Sequence, residues 1–508
     1  MTNGCNRNPI GFCSEAEGLN TTANGAASHA EGFQTIAIND TAHAEGNTTT
    51  AGGAASHAEG FLTETSADTA HAEGTSTTAS GFASHAEGHF TIASGARAHA
   101  EGNLTTASGI ASHSEGENTV ASGLVSHAEG QGTIAQGESS HAEGDNTEAN
   151  GRASHAEGNL TTADGIFAHA EGQRTVASGD LSHAEGNQTQ ALGQNAHAEG
   201  ALNIASGFTS HAEGVNTVAS GTFSHTEGQS TNANLLEGVH VMGRFGAANE
   251  LSYSWYLANG TNASAPGLAA KILSNGNVKI DGAVTTPAAD YAEMFETVDG
   301  TPIDFGYFVT LEKNKVRIAN DKDDFILGII SAKPAFLANS GELRWKDKYL
   351  TSEWGEILYE DSTIPSIFDD EGNMILPERT ERKPVLNPNW DSSKEYIPRS
   401  KRPEWVAVGL MGQLLVRDDG TSQENYYCKP NADGIATASN HGYRVLKRIS
   451  QNQILVLVSQ FYRKPSDNSI EQLEKLARLK EQGYLTKRNF CMKNGRYYPY
   501  KILNALSA

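Results

Sequence analysis

Two arrangements in this 508-residue sequence set ionisable groups at spacings that could do chemistry. The first is Asp290-Tyr291-Ala292-Glu293, a pair of carboxyl groups just after Thr285-Thr286-Pro287-Ala288-Ala289. Two carboxyls can move protons when one is ionised as base and the other is protonated as acid. The hydroxyl of Thr285 or Thr286 offers a different chemistry, attack on the preceding carbonyl. Taken alone, Asp-x-x-Glu reads as a charged turn. On an extended strand the two side chains would point to opposite faces, so they meet only in a helical turn or across a subunit boundary.

The second arrangement is a repeat. A His, a small residue, Glu and Gly recur fifteen times, fourteen residues apart, from His29 to His225. The series includes His29 with Glu31, His57 with Glu59, His99 with Glu101, and His127 with Glu129. It continues through His141 with Glu143, His155 with Glu157, His183 with Glu185, and His211 with Glu213. Each unit reads Ser/Ala-His-Ala-Glu-Gly, two free positions, Thr-x-Ala-x-Gly, two free positions. Its Thr is replaced only at Asn203, and its second Gly only at Asn39, Ala67 and Leu235. An earlier degenerate unit, Ser14-Glu15-Ala16-Glu17-Gly18, is of the kind that caps a stack.

Glycine in nearly every half-unit excludes a helix. Extended stretches of about five residues, each ended by a Gly turn, predict two strands per unit and one coil of a narrow parallel β-solenoid. So small a coil admits only small side chains. Ser28, Ala30 and Gly32 therefore face inward, and His29 and Glu31 outward. The outward positions of the second strand vary freely, as Thr106 and Ser108 or Glu148 and Asn150 show, which suits a solvated surface. The His/Glu face does not vary, and is expected to meet other copies of the chain in register around an axis. Each Glu should then hydrogen-bond a His of a neighbouring copy; if that depresses the Glu and raises the His pKa values, assembly is strongest between the two. A core of Ala and Ser is in any case thin for a monomer. Three symmetry-related His in a layer could hold a transition ion. Because Glu offers each His a competing partner, however, no metal and no cofactor are expected.

These units resemble the heads of trimeric autotransporter adhesins, left-handed parallel β-rolls of fourteen-residue repeats, over about residues 14–233. The resemblance implies a homotrimer whose axis is lined by the outward pair of the first strand. That family usually places aliphatic residues there, so His and Glu point to a hydrogen-bonded or ionic axis. Sixteen layers at about 4.8 Å each would make a shaft roughly 75 Å long.

All five Trp lie at or beyond Trp255, and runs such as Phe325-Ile326-Leu327-Gly328-Ile329-Ile330 and Ile454-Leu455-Val456-Leu457-Val458 come later still. A conventional core therefore follows the shaft. Within it stand, in order, Asp290-Tyr291-Ala292-Glu293, Gly306-Tyr307-Phe308-Val309-Thr310-Leu311, Ile326-Leu327-Gly328-Ile329, Tyr396-Ile397-Pro398-Arg399-Ser400, Arg402-Pro403-Glu404-Trp405 and Val408-Gly409-Leu410. Over residues 285–463 these motifs resemble the self-cleaving intramolecular chaperone domain at the C-terminus of phage tailspikes and appendages. The resemblance implies a domain that drives trimer assembly and cuts the chain near its own start by a carboxylate mechanism. Asp290 and Glu293 are then the expected catalytic pair, with either order of roles. Thr285, Thr286, Pro287, Ala288 and Ala289 form the expected cleavage region.

The expected organisation is mainly β. An N-terminal cap or attachment segment covers residues 1–18, and the repeat shaft 19–233. A β-rich neck follows at 234–284, then the chaperone domain at 285–463. Residues 464–508 read as an amphipathic helix, from Ser469 to Lys480 and closed by Gly483, plus a basic tail. Net charge is −23, which argues against nucleic-acid binding. No apolar stretch follows Met1-Thr2-Asn3-Gly4, so no signal peptide is expected, and no run reaches membrane-spanning length. Cys5, Cys13, Cys428 and Cys491 do not make a disulfide framework.

Together the two resemblances imply a phage or prophage tail fibre made in the host cytoplasm and carried on the virion. Its N-terminus would join tail or baseplate, and its surface would meet a host receptor, a glycan. The alternative is a bacterial or spore surface adhesin built from the same modules. A glycan-degrading enzyme is disfavoured, since shaft and neck lack a suitable carboxylate constellation.

Overall fold

The computed structural model describes residues 6–341 and 347–459, apart from 369–371, 373 and 377, with short stretches at 462–463, 478, 490–493 and 496–499. The chain divides into two compact units, Met1–Ala283 and Val284–Ala508.

In the first unit every fourteen-residue repeat makes one coil. A coil holds a long strand such as His29–Phe33 and a short one such as Ile36–Ala37. Five residues were expected of both. The second strand keeps only two because left-handed corners at Gln34 and Thr41 take up the residues on either side. Successive coils stack in parallel without slip, His71 opposite His85, Glu73 opposite Glu87 and Gly74 opposite Gly88. Ser84, Ala86, Thr91 and Ala93 fill the interior of one coil, each at most 1% exposed. Their small volume is what a coil this narrow can enclose. The Ser84 hydroxyl donates to the Gly81 carbonyl at 2.8 Å, which satisfies it inside the corner. Gly88, next to last in the long strand His85–His89, has φ 106°, and a Cβ there would collide with the Gly102 carbonyl oxygen of the next coil.

His and Glu stand outward, as expected, and form two continuous columns. The His rings stack nearly parallel, 4.7 Å apart for His71 and His85, and 4.8 Å for His197 and His211. Along the column from His85 to His240, and at His57, the His Nε2 lies within 4.0 Å of the Glu of the preceding coil, at 3.7 Å for His57 and Glu45 and 3.2 Å for His155 and Glu143. Carboxylates of the same chain thus stand near these rings, for the most part beyond hydrogen-bonding distance. Within one chain, burial, with the charge of stacked neighbours, lowers the His43, His57, His85 and His113 pKa values. Along the other column the carboxyls alternate, since neighbours so close cannot all ionise. Hydrogen bonds between adjacent side chains push Glu59 and Glu87 up to about 8, while Glu45, Glu73 and Glu101 are held low by the same contacts.

Parallel stacking continues through His240–Ala247 and Trp255–Asn259, with coils of fifteen residues, His225 opposite His240 and His240 opposite Trp255. The Trp255 indole meets the last His ring edge-on at 5.2 Å and ends the column. Antiparallel strands Leu268–Ile272 and Val278–Ile280 complete the sheet.

The second unit is a mainly antiparallel sheet organised on one long strand, Trp405–Arg417. Its first half pairs with Asp290–Glu296, and its second half with Gln453–Val458. Phe308, Ile326, Ile329, Val416, Ile454 and Val456 form its core, a set of large side chains that the shaft could not hold. Cys13 and Cys428 are free thiols, the second buried and pushed up to about 12. Among the described residues the helical structure of more than one residue is a single three-residue turn, Arg399–Lys401, and no helix is long and apolar enough to cross a membrane. The helix expected over residues 469–480 lies, apart from Arg478, outside the described residues.

Backbone geometry sets two opposite expectations for local stability. Gly88→Ala should destabilise its coils by about 1–3 kcal/mol or more, combining a disfavoured φ with the collision. Val125 is a β-branched residue at φ 57°, so Val125→Asn should stabilise by about 1 kcal/mol. Hydrogen exchange of the neighbouring coils reads both, and equal protection in the two variants would contradict this geometry. Stability should also depend on pH when measured with a chelator present. A raised carboxyl contributes below its ordinary value, 4.5, and the contribution is lost as pH rises through the folded value, about 8 for Glu59. A lowered His contributes above its ordinary value, 6.5, and that part is lost as pH falls through its folded value. The shaft should therefore unfold at its highest temperature near neutral pH and lose stability toward pH 9 and toward pH 5. Rising stability up to pH 9 would contradict shared protons along the Glu column.

Candidate functional site

Asp290 opens the strand Asp290–Glu296, whose side chains alternate between the interior and the surface. Asp290, Ala292 and Met294 face in, while Tyr291 and Glu293 face out. The helical turn that could have joined the two carboxyls within one chain is absent. They lie on opposite faces of one strand.

Two backbone hydrogen bonds and one glycine hold Asp290 in place. The Asp290 carbonyl accepts from Ala335 N at 2.8 Å, and the Ala289 carbonyl from Gln413 N at 3.1 Å. The strand Trp405–Arg417 passes so close that a Cβ on Gly412, which has φ 110°, would collide with the Ala289 carbonyl. The Asp290 side chain is 6% exposed, and its Oδ2 is buried without a hydrogen-bond partner. It lines a cavity of about 610 Å³ together with Ser331, Lys333, Gln413, Arg417 and Asn452. A buried carboxyl oxygen with no partner is costly, and such groups concentrate where chemistry or a ligand needs them.

Glu293 is half-buried on the outer face, where its Oε1 accepts a hydrogen bond of 2.8 Å from the Tyr291 hydroxyl. That carboxylate holds the Tyr291 phenol above its usual pKa range. Upstream, Thr285, Thr286 and Pro287 are exposed, Ala288 is half-buried and Ala289 exposed. The Thr286 hydroxyl accepts from Ala288 N at 3.3 Å. The candidate cleavage region is thus an accessible segment leading straight into the strand that bears both carboxyls.

Neither Gly412 nor the role of Tyr291 was identified from sequence. Gly412 had left a signal, a glycine inside an apolar strand pattern, which often marks close approach of another backbone. Tyr291 lies inside the Asp290-Tyr291-Ala292-Glu293 motif, but its contact with Glu293 follows from period-two alternation only once the segment is known to be a strand.

Comparison with known proteins bears on both units. Residues 249–454 match the Peptidase_G2, IMC autoproteolytic cleavage domain, and five stretches between residues 72 and 224 match the YadA head domain repeat. The chain is 38% identical over 154 residues to the pre-neck appendage protein of Bacillus phage phi29, covering 30% of this chain and 17% of that protein. It is 35% identical over 175 residues to the putative phage-related protein YobO of Bacillus subtilis, covering 34% of this chain and 20% of that protein. The crystal structure of the C-terminal fragment of phi29 gene product 12 aligns at 33% identity over 34% of this chain and 100% of that fragment, with a TM-score of 0.28. The chain spans about a fifth of the length of these curated relatives or less. Residues 249–454 therefore belong to the Peptidase_G2 family of autoproteolytic cleavage domains, and they follow a shaft of YadA head repeats.

Proposed function

We propose that this chain is the subunit of a homotrimeric phage or prophage appendage used in host attachment, and that its C-terminal domain directs trimerisation and then cuts itself from the shaft. The carrying observation is the autoproteolytic family match over a region in which Asp290 is buried directly after an exposed segment. Similarity to a phage pre-neck appendage protein favours a virion over a bacterial or spore surface, since head repeats alone are shared by both classes. Attachment through the N-terminus to tail or baseplate, and a glycan receptor, belong to the same proposal.

Trimerisation gives the opposite-facing carboxyls a way to meet. Asp290 of one copy would act with Glu293 of another, so that cleavage waits for assembly. One carboxylate takes a proton from water, whose oxygen adds to the carbonyl carbon of a bond between Gly282 and Asp290. The other carboxyl gives its proton to the amide nitrogen as the C–N bond breaks.

Full-length chain made in a foreign host should convert, without added protease, into an N-terminal piece ending in that interval and a C-terminal remainder. Asp290→Asn and Glu293→Gln should each slow cleavage by about a hundredfold or more while leaving a trimer. Thr285→Ala and Thr286→Ala should still be cut, and a block by either would move the chemistry to the hydroxyl. Folding the Asp290→Asn and Glu293→Gln chains together should restore part of the cleavage, because mixed trimers contain an intact pair across one boundary. No recovery would place the site within a single chain. Deleting residues 285–508 should give aggregated shafts, since near-identical coils pair in many registers once nothing sets the first layer. Soluble, correctly assembled shafts from that deletion would remove the chaperone role.

A further inference from the structure

We infer that the His/Glu face of the solenoid is a linear array of transition-metal sites, each taking an ion of the Zn²⁺, Co²⁺ or Ni²⁺ class between successive coils. The inference stands on one chain and does not depend on the proposed function.

The sequence argued against a metal because Glu was to occupy each His. The structure removes that premise in most coils. His57, His71, His85, His99, His113 and His127 each have a buried Nε2 without a hydrogen-bond partner. The nearest oxygens of His57 are Glu45 at 3.7 Å and Glu59 at 3.8 Å. Hydrogen bonds of this kind end near about 3.2 Å. The ring nitrogen therefore lies between two carboxylates from adjacent coils, bonded to neither.

That separation is one an ion can bridge. Ligands about 2.1 Å from a tetrahedral centre lie about 3.4 Å from one another, and the N–O distances of the ladder run from 3.2 Å at His155 to 3.9 Å at His29. His127, Glu129 and His141, like Glu31, His43 and Glu45, bring three ligand atoms within 4.8 Å of one another. Stacking fixes the rings, with interplanar angles of 1° between His71 and His85 and 6° between His57 and His71, so the donors are held in place beforehand. A groove of about 1300 Å³, walled by the Glu and Gly columns from Glu17 to Gly130, gives ions a path to them. Imidazole nitrogen beside carboxylate selects transition ions over Ca²⁺ and Mg²⁺, which prefer all-oxygen shells.

Occupancy has a built-in limit. Adjacent sites lie one coil apart, 4.7 Å at His71 and His85, and two dications at that distance repel strongly. Alternate coils should fill, at about one ion per two coils.

Titration calorimetry and metal analysis of untagged, chelator-stripped, full-length protein test this. Zn²⁺ should bind at about one ion per two coils and at least about tenfold more tightly than Ca²⁺, and Co²⁺ should give the visible d–d bands of a low-coordinate site with nitrogen ligands. Replacing His127, His141 and His155 with Ser should remove one or two ions per chain and leave the rest. Fewer than one Zn²⁺ per chain, equal affinity for Ca²⁺, or an unchanged Zn²⁺ count in the triple variant would overturn the inference. If the triple variant fails to fold, the Co²⁺ spectrum of the wild-type chain decides, and the spectrum of aqueous Co²⁺ would overturn it.

Discussion

A coil of fourteen residues has room inside for side chains the size of Ser, Ala and Thr, and the first unit is built around that limit. Large apolar groups are pushed outside, so Phe90, Leu104 and Phe167 sit exposed at corners while Ala86 and Ala100 are fully buried. With so little core to hold each coil, the coils rely on backbone pairing to identical neighbours. In-register pairing then repeats every outward side chain at the strand spacing. Fifteen carboxylates and fifteen imidazoles per chain are forced into single-file columns by the same geometry that makes the coil possible. Ring stacking, low His pKa values and carboxyls that share protons are the chemistry that makes such columns tolerable.

The second unit works on the opposite principle. Its core residues are large and differ from one another, and one long strand, Trp405–Arg417, touches most of what matters. Where the shaft spreads one motif over many coils, this unit concentrates a few particular contacts around Asp290. Gly412 permits the close backbone approach, Gln413 holds the Ala289 carbonyl, and Asp290, with its unpartnered carboxyl oxygen, lines the cavity.

The solenoid was legible because its two periods are written plainly. Alternation within each strand shows which residues face in, and the fourteen-residue repeat shows what stacks on what. Less legible were quantities set by contact distance. That Glu45 stands beyond hydrogen-bonding reach of His57, and that successive glutamates share protons, depends on tenths of an ångström that no spacing encodes. At the candidate site the motif located both carboxyls, and strand geometry anticipated their opposite faces. The shape of the surrounding cavity was not legible, because Ser331, Gln413 and Asn452 come from three distant segments brought together by the sheet.

The change from fourteen-residue to fifteen-residue coils at His225, His240 and Trp255 marks one end of the repeat array with a distinct register, and Glu15 in place of His marks the other. Everything between is interchangeable in register. Gaining or losing one unit of coding sequence would move the two ends apart or together by one strand spacing, about 4.8 Å, and disturb neither. Near-identical repeats are also the sequences most prone to recombine with each other. The reach of this shaft is therefore a heritable quantity adjustable in discrete steps, by gain and loss of whole units, while point substitution at the corners alters its surface independently.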